Sequence, residues 1–287
     1  MVRFDILTPE NLTEALKIKN EYRGNIAILG AGTDIIPAER SKRTHFPRLV
    51  NIYNLDELKN IRKNGKCVEI GACVTHTEIA DNETIREEFP VLREAVSRIA
   101  CPQIRNRATI GGNVCNASPA GDGIGPLYTR DVSVSLTSVD GERKLPISKF
   151  ITGPGQTSIA DNEILTGIVI PKMKFTSSFY LTLRRRKAQS LNKVSLAFEA
   201  VTNREESGFE QIRLAYGAVS PTVVRAFNVE DILKGQKITA QLLERAKEET
   251  RKSVKPIDDV RSTAEYRQEM CAVLLERAIS RAIDFQC

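Results

Sequence analysis

The chain has 287 residues, of which 41% are apolar and 27% charged, with 17 glycines and 12 prolines. That length allows one large or two to three small domains with a core needing no metal or disulfide staple, and the composition excludes disordered and collagen-like classes. Forty-two Lys and Arg against 36 Asp and Glu leave a net charge of +6, spread over the chain without a single tryptophan, which argues against nucleic-acid binding.

No stretch approaches the ~18 uninterrupted apolar residues of a membrane-spanning helix. Asp5 and Glu10 stand where a signal peptide would be apolar, so the expected location is the cytoplasm, with no membrane contact. Thr8-Pro9 before Glu10 predicts an N-cap and a first-turn proline, opening a helix that carries Leu12, Ala15 and Leu16. The short β-branched run Ile26-Ala27-Ile28-Leu29 predicts a strand that stops at Gly30-Ala31-Gly32-Thr33-Asp34. A further strand is expected at 49–52. The segments 58–62 and 67–71 flank Asn64-Gly65, a pair suited to a tight hairpin turn.

Val91, Leu92, Ala95, Val96 and Ile99 share one face of a helix expected over 90–99, and a long polar, glycine-containing loop is expected from 101 to 125. Loops of that length are usually functional. Strands are expected at 133–136 and 164–170, with Asp140-Gly141 marking a second hairpin. Residues 171–178 read as a domain boundary, beyond which strands are expected at 179–183, 196–201 and 212–219, then helices at 239–254 and 262–283. The last helix would carry Tyr266, Met270, Val273, Leu274 and Ala278 on one side. Strands followed by helices make the plan α+β, and there is no internal repeat.

The six cysteines, at 67, 73, 101, 115, 271 and 287, form no C-x-x-C pair and have no histidine cluster beside them. Neither a zinc nor a local iron–sulfur site has its spacing, and most are expected to be buried free thiols. The chain has only His45 and His76, which weakens any mechanism resting on a histidine base.

Two glycine loops carry the chemistry. Ala27-Ile28-Leu29-Gly30-Ala31-Gly32-Thr33-Asp34 places glycines directly after a strand, where successive N–H groups can converge on a diphosphate and the Thr33 hydroxyl adds a donor. An ordinary turn explains the same residues. The third glycine and the acidic ribose ligand of a Rossmann fingerprint are missing, which argues against a nicotinamide fold. The second loop, Gln103-Ile104-Arg105-Asn106-Arg107-Ala108-Thr109-Ile110-Gly111-Gly112-Asn113, continues through Cys115 and Asn116 to Asp122 and offers similar donors; a solvated surface loop is its alternative.

These loops, together with Thr152-Gly153-Pro154-Gly155 before Ile164-Leu165, Arg185-Arg186-Lys187, Tyr216-Gly217-Ala218-Val219-Ser220-Pro221-Thr222 and Asp258-Asp259-Val260-Arg261-Ser262-Thr263-Ala264-Glu265-Tyr266-Arg267, resemble the FAD-binding medium subunit of the molybdenum hydroxylases. That family includes xanthine, carbon monoxide and nicotinate dehydrogenases. The resemblance is colinear from residue 4 to about 280. It implies a two-part FAD-binding module of the vanillyl-alcohol-oxidase type over 1–175, with subdomains of about 1–54 and 55–175, and a C-terminal α+β domain over 176–287.

By the same resemblance, the cofactor is FAD. Residues 27–34 would wrap its pyrophosphate, and Thr109, Ile110, Gly111, Gly112 and Asn113 would close on it. Asp122 would contact the sugar-like chain, Leu165 a ring of the cofactor, and Lys187 the isoalloxazine edge or a nearby phosphate. Ile99 stands where some relatives have an aromatic flavin neighbour, and Cys101 where small residues are common. The cysteine-rich insertion of the 4-hydroxybenzoyl-CoA reductases is missing. His76 is expected at a surface or a helix start.

The implied function is an oxidoreductase subunit with no catalytic acid–base residue of its own. It would accept electrons from a small subunit with two 2Fe-2S clusters, fed by a molybdopterin large subunit, and pass them to NAD or another acceptor. Two alternatives stay open: a self-contained flavin reductase of the same fold, such as the enolpyruvyl-glucosamine reductases, and a non-enzymatic nucleotide-binding protein. Turnover without partners would mark the first and a missing flavin spectrum the second.

Overall fold

In the computed structural model, which describes residues 5–41, 43, 46–186, 189–203 and 207–283, the chain divides into two units. It changes unit after Ile79, Cys101, Ala117, Arg130 and Lys172. No described helix is long and apolar enough to cross a membrane.

The first unit begins with a three-stranded parallel sheet, in the order Asp5–Leu7, Arg48–Asn51, Ile26–Leu29. Helix Leu12–Glu21 connects two of these strands and buries Ala15 and Leu16 beside Ile26, Val50, Ile52, Leu55 and Leu58. Its cap is Asn11, whose side chain accepts the Glu14 amide at 2.9 Å, rather than the Thr8-Pro9 pair expected. The difference lies in Glu14, whose carboxylate also reaches back to accept the Glu10 amide at 2.7 Å, so Asn11 and Glu14 each satisfy a backbone donor at the helix start.

A five-stranded antiparallel sheet follows, in the order Ile61–Asn64, Cys67–Gly71, Ile164–Pro171, Ser133–Ser138, Gly141–Pro146. Both expected hairpins form, each with its turn one residue away from the pair predicted. Asn64 pairs with Cys67, so Gly65 and Lys66 make the first turn, with Gly65 at φ +52°. Ser138 pairs with Gly141, so Val139 and Asp140 make the second. A glycine at the first central position is what the primed hairpin turns select, because its φ must be positive there.

The second unit is built on a four-stranded antiparallel sheet, in the order Ser177–Arg184, Asn192–Asn203, Gly208–Gly217, Val224–Arg225. The long strand Asn192–Asn203 is buried on both faces. Val194, Leu196, Phe198 and Ala200 join the apolar core shared with helices Phe227–Leu233, Ala240–Ser253 and Ala264–Ile283, where Phe198 stacks on Phe179 at 4.8 Å between centroids. The intervening Glu199 points to the opposite face, where Thr129 and Arg130 bond to it. Short helices from earlier in the chain, Pro90–Val96 and Gly125–Thr129, belong to this unit.

Three other expectations are corrected. The segment 101–125 is not one loop but contains helices Pro102–Arg105 and Ile110–Asn116 and ends at the start of helix Gly125–Thr129, which glycines and prolines disguise. The last helix buries Arg267, Cys271, Leu274, Leu275, Ala278 and Ile279. Tyr266 instead points outward with the Lys193 ammonium 5.2 Å over its ring, so the buried stripe is rotated from the one expected. The five described cysteines are free thiols, and only Cys73 and Cys271 are fully buried.

Candidate functional site

The first glycine loop lies at the carboxyl edge of the parallel sheet, directly after Leu29, which pairs with Asn51. Parallel sheets bind ligands at that edge, because the connecting loops converge there. Helix Ile35–Arg40 takes over after Asp34, and its internal bonds begin with Ile36 to Gly32 and Ala38 to Asp34. The amides of Gly30, Ala31, Gly32, Thr33 and Asp34 donate to no described residue. Five successive unpartnered donors on a half-buried loop are available to an anion, and Gly32 at φ +78° gives the loop a turn that L-residues avoid.

Two side chains of the second loop reach the first. A Cβ on Gly30 would lie 3.4 Å from the Thr109 hydroxyl oxygen, and Asn116 Nδ2 lies 3.4 Å from Asp34 Oδ1. Thr109 is the N-cap of helix Ile110–Asn116 and accepts the Gly112 amide at 3.1 Å, keeping its own proton to donate. The segment 72–76 holds it in place: Thr75 bridges Thr109, the Ile110 amide bonds Val74, and the His76 amide bonds Ala108.

Here the two loops differ. All four amides from Ile110 to Asn113 are engaged within the chain, to Val74, Ala72, the Thr109 hydroxyl and the Thr109 carbonyl respectively. A Cβ on Gly111 would meet the Ala72 carbonyl oxygen at 2.6 Å, so that glycine exists for backbone packing. The second loop therefore offers side chains to a ligand, where amides were expected. Asn113 is one of them, because its Oδ1 is buried without a partner among the described residues.

His76 is not a surface residue. It starts helix His76–Asp81, is 1% exposed, and has an unpartnered Nδ1. Burial, reinforced by the nearby Arg105, pushes its imidazole down to about 4. Thr75 and Glu78 form a reciprocal capping box around it, with bonds of 3.2 Å and 2.7 Å. Leu165 is buried in strand Ile164–Pro171, opposite Leu136.

Asp122 lies in the second unit. Its Oδ1 receives the Tyr180 hydroxyl at 3.0 Å, Arg184 Nη2 at 2.6 Å and Asn192 Nδ2 at 2.5 Å. Burial still raises its carboxyl above the usual range against these donors. Oδ2 accepts from no described residue. Lys187 lies outside the described residues. The Asp258–Arg267 motif has a structural use: the Asp259 carboxylate binds the Arg261 guanidinium at 2.6 Å and also Arg267, which is buried and bonds the Ala218 carbonyl.

A glycine-rich loop at the carboxyl edge of a parallel sheet, with an antiparallel sheet after it and then an α+β unit, is the arrangement of a nucleotide-binding protein without a Rossmann fold. Residues 2–173 match the family model described as the FAD binding domain in molybdopterin dehydrogenase, and residues 178–282 the CO dehydrogenase flavoprotein C-terminal domain. The chain is 30% identical over 260 residues to the xanthine dehydrogenase FAD-binding subunit of Escherichia coli O157:H7, covering 89% of this chain and 88% of that one. It is 30% identical to the glyceraldehyde dehydrogenase medium chain of Sulfolobus acidocaldarius, covering 96% of each. The solved carbon monoxide dehydrogenase of Hydrogenophaga pseudoflava superposes with a TM-score of 0.92 at 26% identity, covering 98% of each chain. The chain belongs to the family of FAD-binding medium subunits of the molybdenum hydroxylases.

Proposed function

We propose that this chain is the FAD-carrying electron-transfer subunit of a multi-subunit molybdenum hydroxylase, taking electrons from the 2Fe-2S clusters of a small partner subunit and delivering them to NAD or another acceptor. The observation that carries the reading is the run of amides from Gly30 to Asp34 without a partner among the described residues, beside a Thr109 hydroxyl 3.4 Å from a Cβ built on Gly30, a donor set suited to a diphosphate. When bound, FAD supplies the two-electron redox chemistry. The chain's own residues bind and orient it. Residues 27–34 cradle the diphosphate, and Thr109 and Asn113 add side-chain groups. Gly111 shapes the cradle through its packing on Ala72.

Leu165 keeps its assignment beside a ring of the cofactor on the resemblance alone, as does Lys187 as a cation toward the flavin. In the second unit, Asp122 is assigned a hydroxyl of the flavin's sugar-like chain, through the oxygen that no described residue uses. Residues 1–175 are the proposed FAD-binding domain and 176–287 the C-terminal flavoprotein domain. A molybdopterin large subunit completes the assembly, in the cytoplasm.

The test has two parts. Acid precipitation of the purified protein should release one FAD per chain and leave a colourless pellet; a yellow pellet or released FMN would overturn the diphosphate assignment. Under anaerobic conditions, an aldehyde or N-heterocycle should bleach the flavin band only after both partner subunits are added. Bleaching by such a substrate in the isolated chain would promote the self-contained reductase.

A further inference from the structure

The cradle has a charge imbalance. A diphosphate brings two negative charges, yet residues 30–34 and 109–113 contain no lysine or arginine, and Asp34 adds a carboxylate. Amide dipoles and one hydroxyl orient an anion without neutralising it. A cation should therefore stand nearby, without an ion-pair partner of its own and held by something other than a carboxylate.

Arg107 meets that description. It lies two residues before Thr109, whose hydroxyl oxygen is 3.4 Å from a Cβ built on Gly30, in the turn that closes helix Pro102–Arg105 with the Arg107 amide bonding the Ile104 carbonyl at 3.0 Å. Its guanidinium carbon lies 4.4 Å over the centroid of Tyr53 and makes no hydrogen bond or ion pair with a described residue. Tyr53 follows strand Arg48–Asn51 by two residues, fixed there by its amide bonding Asn51 Oδ1 at 3.1 Å. It thus sits on the carboxyl edge of the parallel sheet, the edge from which the loop of Gly30 also departs. A cation–π contact engages the face of a guanidinium and leaves its in-plane N–H donors to bind two oxygens of a phosphate.

We propose that Arg107, placed by the Tyr53 ring, is the cationic clamp on the diphosphate of the bound dinucleotide. The proposal rests on the FAD reading above and adds the residue that balances the charge. Arg105 does not take this role, because it closes helix Pro102–Arg105 and its charge bears on His76.

The experiment titrates full-length protein freed of flavin with FAD, ADP and riboflavin at several salt concentrations, using R107Q, R107K, Y53L and G32V beside the wild type. If Arg107 clamps the diphosphate, R107Q weakens FAD and ADP roughly tenfold to a hundredfold and leaves riboflavin unchanged. The dependence of FAD affinity on salt becomes shallower, because a screened charge contact is gone. R107K recovers part of the loss, and Y53L falls between the wild type and R107Q. Arg107 is exposed, so these variants should fold; matching melting curves without ligand would establish that.

Equal FAD affinity and salt dependence in R107Q and the wild type, with G32V still abolishing binding, would overturn the clamp and leave the FAD reading standing. Equal loss of riboflavin and ADP would assign Arg107 to general folding of the loop and also overturn the clamp. A wild type that binds no FAD would overturn both.

Discussion

Arg130 and Glu199 form a buried ion pair: Nη2 lies 2.6 Å from Oε1, and the two side chains are 2% and 0% exposed. Arg130 also bonds the Met173 carbonyl at 3.1 Å and lies between the rings of Phe89 and Phe175, at 4.7 and 4.9 Å. Thr129 and Ser178 add donors to the carboxylate, at 2.6 and 3.0 Å, so each charge is paired and solvated by protein. Removing one partner leaves the other charged and dry.

Glu199→Ala should therefore cost about 3–5 kcal/mol, whereas the double replacement Arg130→Met with Glu199→Leu should recover much of that. Urea unfolding, following the second unit by its tyrosines, measures both. A loss under 1 kcal/mol in the single variant would show that the pair is wetter than its burial indicates.

Two glycines separate packing from backbone strain. Gly111→Ala places a methyl 2.6 Å from the Ala72 carbonyl oxygen and should destabilise the protein by about 1–3 kcal/mol. Gly155→Ala meets nothing within 4 Å but must hold φ +68°, which should cost about 1 kcal/mol. Thermal unfolding that ranks them the other way would refute the packing role of Gly111.

His76 carries a pH dependence with a definite sign. Its folded value of about 4 lies below the ordinary 6.5, so between these limits the unfolded chain binds the proton and the native chain does not. Stability is then fully present above pH ~6.5 and declines as the pH falls toward ~4, by up to roughly 3 kcal/mol in all. In His76→Phe the loss between pH 7 and pH 4.5 should be smaller by that contribution. Parallel stability curves for the two proteins would mean that His76 protonates freely in the native state.

Thr109 combines a cap with a ligand hydroxyl, and two substitutions tell the roles apart. Thr109→Val should lose about 1 kcal/mol from the helix start and weaken FAD binding, while Thr109→Ser should keep both. Isothermal titration together with melting curves reads the two effects separately. Unchanged FAD affinity in the valine variant would remove Thr109 from the binding site.

What was legible in the sequence is local. The strand Ile26–Leu29 and its glycine loop were readable because β-branched residues stop abruptly at glycines, and helix Ala240–Ser253 because its cap Thr239 precedes a clean period. The role of Gly111 was not, since a glycine selected by a neighbouring backbone looks the same as one selected by a ligand. Nor was the burial of His76, whose neighbours Ala108 and Arg105 arrive from 30 residues later in the chain. The double burial of strand Asn192–Asn203 left a trace in the near-continuous apolar run from Val194 to Val201, broken only by Ser195 and Glu199. Which earlier segment covers Glu199 is a matter of tertiary topology, and no local pattern carries it.

That topology also sets an order of events during synthesis. The first unit has all its residues once Lys172 has left the ribosome, while Arg130, made earlier, belongs to a unit whose Glu199 does not yet exist. The 69 positions between them take ~3 to 14 s to translate, an interval in which Arg130 stays hydrated and helix Pro90–Val96 has no sheet to cover its apolar side. A released fragment of residues 1–175 should accordingly resist protease through 131–172 and be cut within 80–101. A gene fragment ending there would make a protein in the same half-finished condition, permanently.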